Sequence, residues 1–347
     1  MAHLSKYSKV MLLGDKFLER VRLCLTKRIF ICYNCKDKKL LGEIKMALFD
    51  VSTDSTSDLK RDYVQERGIW FVPLTFTLEK DGNIEEHLDN FTKEEEYIAF
   101  YEKVSAGFMP RTSKLNYEAH IEHFTKMAKA GVKEVLHFTI SSGLANTITI
   151  TEQAAKDVQA KYPDFKVYAV DPLTATIGQG VLVAVAADCR DKGMTAQETF
   201  EYILSIRQNI QHCIIPNDLF YLKRGGRVSA VSAVFGTVLN IKPMLSFDEE
   251  GKLKVVEKCK GMKKAFMRVI DCMNSAPISE HNFVVVVHTN NQKGAEELAK
   301  LVEEKTGVKP VITIMGPVIG SHVGPGSVSC GWLSTKTRKE LNENMFA

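Results

Sequence analysis

The sequence predicts an α/β protein made of two α/β domains, the first built on a mainly parallel sheet. Three observations lead there. From residue 46 onward, short apolar strand-like runs alternate with helix-length segments, the order that yields parallel strands joined by crossover helices. Segments rich in Ser, Thr and Asp fall at strand ends or helix starts, where open α/β sheets bind ligands. The chain has 347 residues, which at roughly 150 residues per domain is about two domains. The expected boundaries are 46–208 for the first domain and 209–347 for the second, with 1–45 as an N-terminal extension.

Met46 opens the first strand signal, Ala47-Leu48-Phe49-Asp50-Val51. The run Ile69 to Phe76 reads as a second strand, turned at Asp81-Gly82-Asn83. Thr92 with Glu95 reads as a capping box opening a helix to about Val104, and a second helix covers Leu115 to Lys129. Glu134–Ile140 is a strand, Ser141-Ser142-Gly143 a loop leading into a helix to about Ala160, and Val167–Val170 a strand ending on Asp171. Thr195 with Glu198 is a further capping box, starting a helix to about Asn209, and the domain change falls near 205–215. Cys213–Pro216 is a short strand. Asp248-Glu249-Glu250-Gly251 between two strand-like runs signals a hairpin. A helix over Met262–Asn274, a buried strand over Asn282–His288, a helix to about Glu304 and strand-like pieces at Val311 and Val318 complete the pattern.

Composition excludes several classes. Apolar residues are 45% and charged residues 25%, ordinary for a folded globular chain and unlike disordered or collagenous sequences. The longest clean apolar run, Val181–Ala187, is seven residues, whereas a spanning helix needs about 20, so no stable membrane insertion is expected. The net charge of +4 is uneven: residues 1–45 hold 11 Lys/Arg and 4 Asp/Glu, and the rest holds 35 against 38, a net of −3. The body therefore has no global pull toward nucleic acid. Most of the eight cysteines are single and lie in apolar or helical stretches, as reduced thiols inside the cell do. Cys32-Tyr33-Asn34-Cys35 has metal or redox spacing, but no second pair follows to complete a zinc site. The apolar stretch Ile29–Tyr33 is too short for a secretory signal, which needs about 7–15 apolar positions, so a cytoplasmic location is expected.

Chemistry-bearing segments each have a plain structural reading beside the functional one. Asp54-Ser55-Thr56-Ser57-Asp58 follows the first strand and can hold a metal or phosphate, or simply cap a turn. Ser141-Ser142-Gly143 offers hydroxyls and a helix N-terminus to an anion, and Thr112-Ser113 before the next helix repeats the pattern. Lys223-Arg224-Gly225-Gly226-Arg227 is a basic turn that can meet phosphate, carboxylate or RNA, and Gly320–Gly326 is a glycine-rich turn carrying His322. The P-loop, the dinucleotide glycine motif, the nucleophile elbow and the paired-histidine metal motif are absent.

In this order the segments resemble the DegV family of bacterial lipid-binding proteins. The resemblance runs from Asp54-Ser55-Thr56-Ser57-Asp58-Leu59 and Val72-Pro73-Leu74 through Thr112-Ser113, Ser141-Ser142-Gly143-Leu144 and Val170-Asp171. It continues in Tyr221–Ser229, Leu239–Pro243 and His322-Val323-Gly324-Pro325-Gly326, covering about 47–340. It implies two α/β domains with a long-chain fatty acid such as palmitate in the cleft between them. It further implies that Thr112 and Ser142 hold the carboxylate, with Arg227 and His322 near it. The chain departs from the family in carrying Lys114-Leu115 where relatives have Gln-Pro, and Pro172 after Asp171. Some members hand the acid to a fatty-acid kinase, so the resemblance implies a carrier without cofactor or metal and not an enzyme. Burying about 15 methylenes at roughly 0.8 kcal/mol each gives about 12 kcal/mol of gross transfer energy, so the tail suffices for affinity. Two other classes stand beside this one. A phosphoryl-transfer enzyme of the dihydroxyacetone-kinase-like fold would use Asp54 and Asp58 for a metal and His322 as base. An RNA binder would use Arg224 and Arg227.

Overall fold

The computed structural model describes residues 47–227 and 241–346. The Cys32–Cys35 pair, the 1–45 extension and Val228, Ser229, Leu239 and Asn240 of the quoted motifs lie outside those residues.

The first strand, β1 (Asp50–Asp54), runs parallel to β2 (Trp70–Val72) on one side and to β6 (Glu134–Phe138) on the other. Between them lie α1 (Arg61–Glu66), β3 (Thr75–Lys80), β4 (Asn83–Leu88), α2 (Glu94–Ser105), β5 (Met109–Ser113) and α3 (Tyr117–Lys129). Then come α4 (Ile148–Lys161), β7 (Lys166–Val170), α5 (Ile177–Asp191) and α6 (Ala196–Ile206). The parallel sheet has the order β2-β1-β6-β7, and β4-β3-β5 form a separate antiparallel sheet.

Several sequence expectations are corrected here. The run Ile69–Phe76 is two strands, β2 and β3, because Pro73 cannot donate to a ladder and the chain turns there. The capping box before α2 closes through Glu96, whose carboxylate accepts from the Thr92 and Lys93 amides, and not through Glu95. The box of Thr195 and Glu198 forms as read. Thr112-Ser113 ends a strand, β5, instead of opening a helix directly.

The second half continues with β8 (Ile210–Ile215), α7 (Phe220–Arg224), β9 (Ile241–Phe247), β10 (Leu253–Lys260) and α8 (Met262–Ser275). β11 (Val284–His288), α9 (Gln292–Thr306), β12 (Val311–Ile314), α10 (Pro317–Val323), β13 (Val328–Leu333) and α11 (Arg338–Met345) follow. These strands make a six-stranded mixed sheet, β10-β9-β8-β13-β11-β12, in which the pair β11–β12 is parallel. The β9–β10 hairpin turns at Asp248–Gly251, with Gly251 at φ 73°, a conformation that favours glycine. Val318 belongs to a helix, α10, and not to a strand: Pro317 occupies its first turn, where the missing N–H costs nothing.

From Phe49 onward the chain packs as one unit. One apolar core lies around the parallel sheet and α5, and another around α8, α9 and the six-stranded sheet. A third core joins Ile140, Ala175 and Ile177 to Ile214, Phe247, Met315 and Ile319, so residues of both sheets' layers share it. That shared core surrounds the candidate site.

Candidate functional site

A narrow cavity of about 80 Å³ lies within the shared core. Leu74, Ile140, Leu144, Ala175, Ile214, Leu222, Phe247, Leu253, Met315, Val318, Ile319 and Val323 give it an apolar lining. Thr112, Arg227 and His322 also line it, and the same three border an exposed depression of about 580 Å³ outside. The cavity is therefore mainly apolar, with buried Thr176 and Ser329 also in its lining and Thr112, Arg227 and His322 at its mouth.

Local structure brings the mouth together. β5 pairs with β3, with Thr112 opposite Phe76, and this places Thr112 near the strand end. α10 carries His322 on its last turn. Thr112 Oγ1 and His322 Nε2 share a hydrogen bond of 2.8 Å. His322 Nδ1 is buried without a partner. A Cβ on Gly225 would sit 2.4 Å from that nitrogen, so only glycine lets α7 approach the ring this closely. Burial, and then the charges of Arg227 and Arg224, pull the His322 pKa down to about 4. The ring is neutral at pH 7 and contributes hydrogen bonding to the mouth; the positive charge there belongs to the arginines.

Arg224 acts as a strut. Its Nη2 donates to Pro110 O at 2.9 Å and to Ser321 O at 3.4 Å, tying β5 to α10. Arg227 is exposed, and its guanidinium donates to the Gly225 carbonyl. The sequence places Arg224 in a basic turn that can meet phosphate, carboxylate or RNA. Its bonds here go to backbone carbonyls of the same chain.

Ser142 stands apart from this group. It is half-buried, its amide donates to Asp171 Oδ1 at 3.2 Å, and it is not among the residues lining the cavity, although Ile140, Leu144 and Ala145 on either side are. The next helix starts at Ile148, so the helix N-terminus expected behind Ser142 lies six residues further on. The Ser141-Ser142-Gly143 loop docks on the β9–β10 hairpin. Ser141 Oγ donates to Gly251 O at 2.8 Å, and a Cβ on Gly143 would meet Gly251 backbone carbon at 2.5 Å.

Asp54, fully buried, accepts from Thr56 N and Oγ1, Gln179 Nε2 and Ile140 N. Burial still raises its pKa. Three of these bonds go to Oδ1 and one to Oδ2. Among the described residues no group of three or more His, Cys, Asp or Glu is arranged to hold a metal ion, and none of the described helices is long and apolar enough to cross a membrane.

The fold and site define a class: a mixed α/β protein with an apolar cavity behind a Thr, His and Arg mouth. The chain belongs to the DegV family, whose model, described as "Uncharacterised protein, DegV family", matches residues 49–335. It is 32% identical over 290 residues to a DegV domain-containing protein of Clostridium perfringens, covering 83% of this chain and 98% of that one. Among solved structures it is similar to a DegV lipid-binding protein from Thermotoga maritima, with a TM-score of 0.72 at 27% identity, covering 84% of this chain and 99% of that one. It is also similar to a fatty-acid-binding DegV family protein from Streptococcus agalactiae, with a TM-score of 0.68 at 28% identity, covering 83% and 99%.

Proposed function

We propose that this protein binds a long-chain fatty acid, such as palmitate, with the tail in the apolar cavity and the carboxylate at Thr112, Arg227 and His322. The observation that carries this reading is the cavity itself: a mainly apolar lining that opens at Thr112, Arg227 and His322, with Thr112 and His322 2.8 Å apart. A carboxylate leaving water needs replacement donors, and a hydroxyl, an imidazole and a guanidinium supply them. The lipid- and fatty-acid-binding names of the Thermotoga and Streptococcus relatives support the same ligand class. In this reading residues 46–208 and 209–347 act as two lobes about the acid. Ser142 steadies the loop that supplies Ile140 and Leu144 to the lining.

The protein then carries or presents the acid in the cytoplasm and does not transform it, with no cofactor or metal of its own. The exposed depression outside the mouth carries Lys80, Arg111, Arg224 and Arg227 against Glu79 and Asp81, and this excess of cations beside the carboxylate supports presentation to a fatty-acid kinase with its phosphate donor. For the phosphoryl-transfer alternative, Asp54 and Asp58 have no third His, Cys, Asp or Glu arranged with them for a metal among the described residues, so it is not favoured. Native mass spectrometry of protein purified without added lipid tests the ligand. A mass excess equal to a fatty acid, lost on delipidation and restored one-to-one by palmitate, is expected. No mass excess and no uptake, or turnover of Mg²⁺-ATP with short polyols, would overturn the reading.

A further inference from the structure

Helix α10 carries His322 and lines the apolar cavity with Val318, Ile319 and Val323. Its start has no capping side chain of its own, since the N-cap residue is Gly316. Residues more than two hundred positions away hold it instead. Asp58 Oδ1 accepts from Gly316 N at 2.9 Å, and Asp89 Oδ2 accepts from Val318 N at 3.4 Å. Tyr101 Oη donates to Met315 O at 2.8 Å. A Cβ on Gly316 would sit 2.7 Å from Asp58 Oδ1 and 3.2 Å from Asp89 Oδ1, so both carboxyls converge on one point. The opposite end of the helix is held by Arg224 and by the close approach of Gly225 to His322.

We propose that Asp58 and Asp89 are positioning residues for the acid-binding mouth. They clamp the first turn of α10, and the helix transmits that position to His322 and the cavity lining. This rests on the fatty-acid reading above, which it deepens by adding proton control to the same site.

The clamp is built to respond to protons. Both carboxyls also line a second, polar cavity of about 300 Å³, which gives protons a route to them. Asp58 Oδ2 is buried without a hydrogen bond of good geometry. Burial raises the Asp58 pKa to about 7, with the Thr176 hydroxyl and the Gly316 amide pulling the other way and Asp54 adding to the rise. Burial, and then Asp58, raise Asp89. The other groups facing the pair are Tyr97 and Tyr101 from α2, Lys60, Arg61 and Asp62 at the start of α1, Glu94 at the start of α2, and His288 at the end of β11. The docked helix thus favours a protonated Asp58, whereas releasing it rehydrates the carboxyl and lets it ionise at lower pH. Docking weakens as pH rises toward 7 and levels off above it. For one such proton, docking falls by up to about tenfold between pH 6 and pH 8. His322, with its pKa near 4, stays neutral throughout that interval.

The test measures palmitate affinity between pH 6 and pH 8 for wild type, Asp58→Asn and Asp58→Ala, with thermal midpoints to confirm folding. Wild type should lose affinity as pH rises, by up to about tenfold. Asn keeps an acceptor for Gly316 N and mimics the neutral carboxyl without its ionisation, so D58N should bind more tightly than wild type already at pH 6 and keep that affinity to pH 8. D58A should bind at least about fivefold more weakly at pH 6, because the clamp is lost. A flat wild-type profile, a D58N profile with the wild-type slope, or D58A binding like wild type would overturn the proposal. A second readout needs no acid: the His322 ring titration by NMR should move up from about 4 toward its free value in D58A. If wild type binds no fatty acid, the function above fails, and the His322 titration alone decides: unchanged in D58A, it overturns the clamp.

Discussion

Replacing Thr112 by Val is the sharpest probe of the mouth. Valine keeps the branched shape and β propensity that β5 needs, and it removes only the hydroxyl. That hydroxyl sits 2.8 Å from His322 Nε2 and can turn toward a bound carboxylate. A hydrogen bond to a charged group is worth about 1.5–3 kcal/mol. Thr112 is half-buried at a mouth open to solvent, so the lower end applies, about 1.5 kcal/mol, or roughly tenfold in affinity. Ser142→Ala is the matched comparison. Ser142 is outside the cavity lining, and only its backbone amide is tied, so its loss should change affinity by less than about twofold. Titration of delipidated protein with palmitate, followed calorimetrically, measures both variants, and urea midpoints report folding. Unchanged affinity in T112V with a lowered midpoint would show that the hydroxyl serves the fold alone. A loss in S142A larger than in T112V would move the carboxylate to the Ser141-Ser142-Gly143 loop and refute the arrangement argued above.

Gly143→Ala forces a Cβ within 2.5 Å of the Gly251 backbone, where nothing can yield cheaply, so it should lower the urea midpoint by about 1–3 kcal/mol of stability and weaken palmitate binding with it. His137 lies fully buried on β6, with its Nδ1 bonded to Ser52 Oγ at 2.9 Å and its Nε2 unpartnered, and burial holds its pKa well below the usual value. The unfolded chain takes up that proton below about 6.5 and the folded chain does not, so this stability contribution is intact above pH 6.5 and lost as pH falls. His137→Leu should therefore make the decline in stability from pH 6.5 to pH 5 shallower by about 1.4 kcal/mol per pH unit, and an unchanged slope in urea titrations at both pH values would count against it. A chain shortened to begin at Met46 should stay soluble and keep its lipid, because the residues from Phe49 onward pack as one unit; loss of either, seen by size-exclusion chromatography and native mass spectrometry, would show that residues 1–45 take part in the fold.

The alternation of strands and helices in the first half was legible because each element shows its own period or cap. Elements buried on every side were not. α5 is apolar nearly all round, with buried residues from Ile177 to Ala187, so it has no amphipathic period to read. β13, Val328–Leu333, is buried at every position and likewise shows no alternation. β5 was hidden by Pro110, which is tolerated because β5 lies at the edge of its sheet. α10 was misread through Val318 and Ile319, although Gly316-Pro317 ahead of them is a helix-start signal that the β-branched pair outweighed. At the site, the family resemblance names Thr112, Ser142, Arg227 and His322; Thr112, Arg227 and His322 line one cavity and Ser142 does not. Nothing in the spacing marks Asp58, Asp89 and Tyr101 as partners of one helix, since those bonds span more than two hundred positions.

The two ends of α10 explain why a weakly polar mouth can still be specific. In the proposed complex the tail supplies most of the affinity through apolar burial, a force without direction. Orientation must then come from a few polar groups held in fixed positions, because a donor that has to be ordered on binding gives back much of what it contributes. His322 is held in this way from three sides: Thr112 bonds its Nε2, Gly225 packs against its Nδ1, and the first turn of its helix is fixed by Asp58 and Asp89. Its neutrality fits the same logic. A neutral imidazole can donate to a carboxylate or accept from Thr112 without the desolvation cost of a buried cation, while Arg227 keeps its charge at the exposed rim. In the proposed complex, neutral donors held beside the cavity and charge at the exposed rim would let the acid be held by its tail, aligned by its head and reached from outside.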